Sequence, residues 1–212
     1  YSETNVSTTV KNYTYQNGVL LSMTSGTERV DFTYVGNKVN KATWYGGGAL
    51  LENIYFTYTG DLLTSTLSDT SNNPEKIQYF YNNGILEKME RGFTDDNGYH
   101  QFVIHDYVYQ SGNIMNRTVH YPYFGAPDLY TEYTYDTANN PFKYMNPYLR
   151  LYFAKDNSNG ISANNYTEIQ QYLPDFQTHY TDETIYQNNY PIDIKTRTDD
   201  GTLLIHLQIE YY

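Results

Sequence analysis

Val30-Asp31-Phe32-Thr33-Tyr34-Val35-Gly36-Asn37-Lys38-Val39-Asn40-Lys41-Ala42-Thr43-Trp44-Tyr45 sets the architecture of the whole chain. Side chains alternate along an extended backbone, so Val30, Phe32 and Tyr34 share one face and Asp31 and Thr33 the other. Gly36-Asn37 is a tight-turn pair, and Val39 onward reads as the strand coming back. The unit is a β-hairpin whose outgoing strand ends in an aromatic-x-Tyr doublet.

The doublet recurs at Tyr13-Thr14-Tyr15, Phe56-Thr57-Tyr58, Tyr79-Phe80-Tyr81, Tyr107-Val108-Tyr109 and Tyr133-Thr134-Tyr135. Turns such as Asn17-Gly18, Gly60-Asp61 and Asn83-Gly84 follow it. A unit repeating every roughly 19 to 28 residues predicts a long antiparallel meander. Ile54, Phe56 and Tyr58 line up on one face, as do Ile77, Tyr79 and Tyr81, then His105, Tyr107 and Tyr109. The expected fold is all-β: a single domain over 1–212 with about 13 or 14 strands. With few helices to cover its apolar face, the sheet is expected to curl into a barrel-like or half-barrel shell, or to fold into two layers.

Four segments stand apart from the simple pattern. Val39–Tyr45 and Ile114–Val119 carry charged residues at several positions and read as half-exposed return strands. Leu203, Ile205, Leu207, Ile209 and Tyr211 give the last strand the strongest alternation in the chain. Between about 141 and 164 the doublet disappears. There, Pro147 ahead of Tyr148, Leu149, Leu151 and Tyr152 predicts a short helix with Asn146 as its N-cap. Such an insert is apolar enough to cover or plug an open end of a curled sheet.

Composition narrows the functional classes. Twenty-seven tyrosines supply much of the 39% hydrophobic content, and each buried phenol wants a partner for its hydroxyl. A formal charge of −11 with no basic stripe argues against nucleic acid and against docking on anionic lipid. Absence of cysteine excludes thiol nucleophiles and thiolate metal sites. No run approaches a membrane-spanning helix of about 18 apolar residues. A first residue other than Met points to a targeting segment lying upstream, with a possible lipid anchor.

No catalytic or metal-ligating pattern stands out, and no cofactor is expected. The five histidines are scattered; His105 falls on the apolar face as a satisfied core histidine, while His100, His120 and His179 read as surface residues. Asp156-x-Ser158-x-Gly160 lacks the ligand spacing of a calcium loop. The remaining functional signal is aromatic. Trp44 and Tyr45 beside Gly46-Gly47-Gly48, and Tyr121, Tyr123 and Phe124 beside Gly125, place rings at strand ends where they suit a glycan or a protein partner.

The aromatic-x-Tyr, turn and return-strand unit resembles the Tyr-Asp repeats of Rhs-type secreted proteins, with the Asp present at Tyr135-Asp136. A closer likeness is carried by Tyr133-Thr134-Tyr135-Asp136-Thr137-Ala138-Asn139-Asn140-Pro141-Phe142-Lys143, the short helix, the Asn-rich loop and the pair around Tyr186, Tyr190 and Pro191. It resembles an uncharacterised group of Bacteroidetes-type extracytoplasmic lipoproteins with a porin-like fold. That resemblance implies a bacterial protein held in the periplasm or at the outer-membrane surface. The function expected is non-enzymatic binding or scaffolding at the envelope. The alternatives are a glycan- or apolar-ligand-binding module with a Tyr-lined lumen or aromatic surface, and a hydrolase built in the loops. Charged return strands such as Glu87-Lys88 favour a shell in water over a lipid-facing pore.

Overall fold

The computed structural model describes residues 10–69, 74–96, 98–155 and 158–210. They form one antiparallel sheet of 15 strands, paired in sequence order. The strands are β1 (Lys11–Gln16), β2 (Val19–Ser25), β3 (Glu28–Val35), β4 (Lys38–Gly46), β5 (Ala49–Thr59), β6 (Leu62–Ser68), β7 (Glu75–Asn82) and β8 (Ile85–Asp95). β9 (Gly98–Gln110), β10 (Asn113–Tyr121) and β11 (Ala126–Asn139) lead into the insert, which holds α1 (Pro147–Phe153) and a 3-10 turn at Ser158–Ile161. β12 (Asn164–Leu173), β13 (Phe176–Gln187), β14 (Tyr190–Thr198) and β15 (Leu203–Gln208) follow. β1 and β15 are edges, so the curled sheet stays open. The hairpin turns are as expected: Asn17 and Gly18 take φ of 51° and 77°, the paired positive values of a type I′ turn.

A bulge at a fixed place in each unit produces the curl. Thr33 faces Lys41 but Tyr34 faces Val39, leaving Asn40 as the extra residue. Leu21, Thr64, Glu87, Met115 and Ile192 are the extra residues of the corresponding hairpins. A bulge bends its strand and increases the local twist, and repetition at one level bends the ribbon in one sense. It also decides which residues the return strands bury. Across the bulge the inward set steps by three residues instead of two, so Val39 with Ala42, Leu63 with Thr66, and Leu86 with Met89 are all buried. Those strands are half-exposed, as expected, with a buried set whose alternation the bulge interrupts.

The same place satisfies the second tyrosine hydroxyl of four doublets. Tyr34 donates to the Leu20 carbonyl at 2.6 Å, Tyr58 to Val39 at 2.8 Å, Tyr81 to Leu63 at 2.9 Å and Tyr135 to Ile114 at 2.5 Å. Each acceptor residue faces the second Tyr of the preceding doublet. Every such phenol therefore staples its hairpin to the one before it. Burial pushes the Tyr34 and Tyr81 hydroxyls up to about 12, so they remain donors at any ordinary pH.

The insert lies on the concave face. Asn146 caps α1 by accepting from the Tyr148 amide at 3.0 Å, as its sequence position predicts. Its side-chain amide donates to the Asn37 carbonyl at 3.0 Å, and Tyr148 donates to the Asp61 carbonyl at 3.0 Å. Both acceptors are turn residues of neighbouring hairpins. Tyr148 packs edge-on to Tyr58 at 4.8 Å, Tyr152 against Phe56 at 5.5 Å, and Phe153 against Phe32 at 6.3 Å. Leu149 and Tyr152 are fully buried, each worth ~1.5–3 kcal/mol of apolar transfer. The Asn-rich motif anchors the insert: Asn140 is buried and accepts from the Phe142 amide at 2.8 Å, while Asp136 accepts from Ala138 at 2.9 Å and from the Tyr186 hydroxyl.

The last strand forms but is largely uncovered. Leu204, Ile205 and Leu207 are 46%, 57% and 41% exposed, because among the described residues β15 is an edge with neither insert nor closing strand over it. Tyr211 lies outside the described residues.

Candidate aromatic mouth

The insert enters at the end of the shell that carries the doublet turns. At the opposite end, the β8–β9 and β10–β11 connections bring five rings together. Phe93 lies 5.0 Å from His100, 6.4 Å from Phe102 and 5.8 Å from Tyr123. Tyr123 lies 6.3 Å from His100 and 5.4 Å from Phe124. Interplanar angles of 76°, 77° and 84° make the Tyr123 contacts edge-on, the geometry favoured by the ring quadrupoles.

Local backbone causes explain this arrangement. The Tyr121 carbonyl accepts from the amides of Phe124 at 3.2 Å and Gly125 at 3.0 Å, a tight turn that throws the two rings outward. Tyr123 and Phe124 are 57% and 66% exposed, whereas Phe93, His100 and Phe102 are half-buried and hold the base of the cluster. Phe102 is the extra residue of another bulge, where Arg91 faces Val103 and Gly92 faces Gln101. His100 meets the Asp95 carboxylate at 2.8 Å, placing a polar pair beside the rings.

A charged group lies one ring further in. Arg91 lies over Phe102 at 5.5 Å and donates to Glu75 at 2.7 and 3.0 Å, and to the Lys155 carbonyl at 3.3 Å. Lys155, just past α1, reaches Glu75 at 3.3 Å and lies 4.7 Å over the Tyr152 ring. Burial works to raise the Glu75 carboxyl, but Lys155 and Arg91 outweigh it and hold it below the usual carboxylate range.

His105 occupies the core face as expected, stacked on Tyr107 at 6.1 Å. It is not a satisfied histidine, since neither ring nitrogen has a hydrogen-bond partner among the described residues. Burial, reinforced by Arg117 and Arg91, lowers its pKa to about 3, so the ring stays neutral. The other histidines are partnered by carboxylates. His120 lies between Asp106 at 2.9 Å and Asp128 at 2.8 Å, His179 meets Asp199 at 2.6 Å, and His206 meets Asp193 at 2.8 Å. No cluster of three or more metal-binding side chains occurs among the described residues. Asp156 lies outside them.

The five rings singled out by sequence separate into distinct environments. Tyr123 and Phe124 join the mouth. Tyr121 is half-buried and contributes its carbonyl to the turn. Trp44 packs against the core with its indole nitrogen buried. Tyr45 points to the other face under the Arg29 guanidinium at 5.3 Å and borders an open cleft with Thr24, Thr27 and Gly48. Sequence reasoning missed Phe93, His100 and Phe102. A signal existed: Phe93 and His100 lie at equal distance from the centre of the Asp95–Gly98 turn, and the hairpin pairs them.

No protein-family profile matches the sequence, and no curated protein does. Solved structures do. A protein from Bacteroides vulgatus ATCC 8482, described as porin-like, superposes with a TM-score of 0.58 at 13% identity, covering 94% of this chain and 93% of its own. A porin-like protein from Bacteroides uniformis ATCC 8492 gives 0.57 at 12% identity, covering 94% of this chain and 87% of its own. At such identities the likeness is one of fold. No helix among the described residues is long and apolar enough to cross a membrane.

Proposed function

We propose that the chain is a non-enzymatic binding module of the bacterial cell envelope that holds a saccharide on the mouth formed by Phe93, His100, Tyr123 and Phe124. One observation carries the reading: two exposed rings are held at fixed angles by half-buried ones, with the His100–Asp95 pair alongside. Ring faces take the C–H side of a sugar, and a flanking carboxylate or imidazole takes its hydroxyls. The envelope placement is supported by the porin-like fold of the Bacteroides proteins and by the sequence resemblance.

Competing readings fit less well. A Tyr-lined lumen is disfavoured because the doublet rings already pack on α1 and donate to backbone carbonyls. A lipid-facing pore is disfavoured because alternate outward positions carry charge, among them Asp31, Lys41, Lys88 and Asp106. A loop hydrolase needs two carboxylates, or a base and a nucleophile, converging in a cleft. The His–Asp pairs instead bridge neighbouring strands or turns.

The test is a panel of neutral oligosaccharides read by isothermal calorimetry. Tyr123→Ala is expected to weaken binding of any retained glycan at least tenfold, whereas Trp44→Phe leaves it unchanged. Binding that survives loss of both the Tyr123 and Phe124 rings would remove the mouth from consideration.

A further inference from the structure

We infer that β1 is a self-association edge, pairing antiparallel with β1 of a second copy about a two-fold axis at Thr14. The repeat itself calls for a strand on this side. In four later doublets the second tyrosine donates to a carbonyl of the return strand before it. Tyr15 holds the same position in the first doublet, but no strand lies ahead of β1 among the described residues. Its ring is 49% exposed and that of Tyr13 37%, whereas Phe32, Phe56, Tyr79, Tyr107 and Tyr133, which take the place of Tyr13 in later units, are buried. Every residue of β1 is exposed.

Sequence and charge select a second copy as the occupant. An antiparallel pair centred on Thr14 sets Tyr13 opposite Tyr15, Asn12 opposite Gln16 and Thr14 opposite its own counterpart. Aromatic pairs and a Thr–Thr pair are favourable directly across a ladder, and a self-complementary patch is what a two-fold dimer needs. Tyr13 faces Met23 and Tyr15 faces Leu20, so the rings of both copies extend the side of the sheet that carries the core. Charge permits the approach. The chain carries −11, yet Lys11 is the only charged residue in 10–27, and centring on Thr14 leaves it outside the pairing of 12 to 16. Natural edges are commonly guarded by charge, proline or a bulge, and residues 12 to 16 have no such guard. The opposite edge is different: Asp193, Lys195 and Arg197 lie on β14 beside β15, and Leu204 bulges β15 itself.

Sedimentation equilibrium from about 5 to 500 µM brackets the affinity of a small, transient contact below about 1,200 Å². The average mass is expected to rise with concentration toward that of a dimer. Thr14→Asp and Thr14→Lys, each checked for folding by circular dichroism, set like charges face to face. Each is expected to weaken association about tenfold or more, and mixing the two variants is expected to restore it. The chain has no cysteine, so Thr14→Cys gives a second reading free of background. Directly opposite Cα atoms lie about 4.5–5.5 Å apart, within disulfide reach. Under mild oxidation Thr14→Cys is expected to cross-link at least ten times faster than Gln16→Cys, which faces Asn12. A mass that stays monomeric at every concentration would overturn the inference. Association indifferent to Thr14→Asp would remove it from β1. Loss that the mixture does not restore, or equal cross-linking of the two cysteine variants, would overturn the two-fold pairing.

Discussion

β3 to β11 and β13 to β15 are built from the same hairpin, with the bulge at Asn40 in one region and at Ile192 in the other. They differ in what lies opposite. The first region closes on α1, and Phe32, Phe56, Tyr79 and Tyr107 are buried. In the second, Ile194 is buried but Ile205 and Leu207 across from it are 57% and 41% exposed. Alternation makes a strand; burial depends on a partner for its apolar side. The shell is therefore a packed body with a less covered ribbon attached, although the pairing is continuous throughout.

Tyr152→Ala should break the packed region outright. Removing a fully buried ring that joins Phe56 to α1 is expected to cost about 3–5 kcal/mol in urea unfolding. His105→Leu sharpens the comparison in the opposite direction. Replacing a buried, unpartnered imidazole with an apolar side chain of similar size is expected to stabilise by about 1–3 kcal/mol. The sign of the accompanying pH effect is fixed. The folded pKa, about 3, lies below the unfolded value of 6.5, so the unfolded chain binds the proton more readily between them. Stability tied to His105 is complete above pH 6.5 and is lost as pH falls toward 3, facing the charges of Arg117 and Arg91. Thermal melts from pH 7 to 5 should fall more steeply for the wild type than for His105→Leu.

A smaller effect is expected from Tyr58→Phe. It removes one staple, the hydroxyl donating to Val39 at 2.8 Å, and leaves that carbonyl short of a donor. Urea denaturation should register a loss of about 1 kcal/mol. Smallest of all, Ile205→Ser on the exposed edge should change stability by less than about 0.5 kcal/mol. A cost there as large as that of Tyr152→Ala would erase the distinction between the two regions.

Much of the packed region was legible in sequence because its signals are local. Doublet, turn pair, N-cap Asn146 and Pro147 each act within a few residues, and the core-facing rings of β3, β5 and β7 follow from period two. The return strands read rightly as half-exposed, but which residues they bury was hidden, because the bulge changes the inward step from two to three, which simple alternation cannot register. Leu203–Leu207 was legible as a strand from its strong pattern, but no sequence feature states whether anything covers it. At the mouth, Tyr123 and Phe124 were visible as rings beside Gly125. Arg91, Glu75 and Lys155 were not, since Lys155 comes from the insert, 64 residues beyond Arg91, and meets it only when the ribbon curls.

Native-state amide hydrogen exchange, resolved by strand, tests the packed-body-and-ribbon organisation most directly. Amides of β5 to β9, enclosed between their neighbours and α1, should exchange only through global unfolding, with β15 exchanging orders of magnitude faster through local opening. Equal protection of β15 and β7, with both lost together in denaturant, would contradict it.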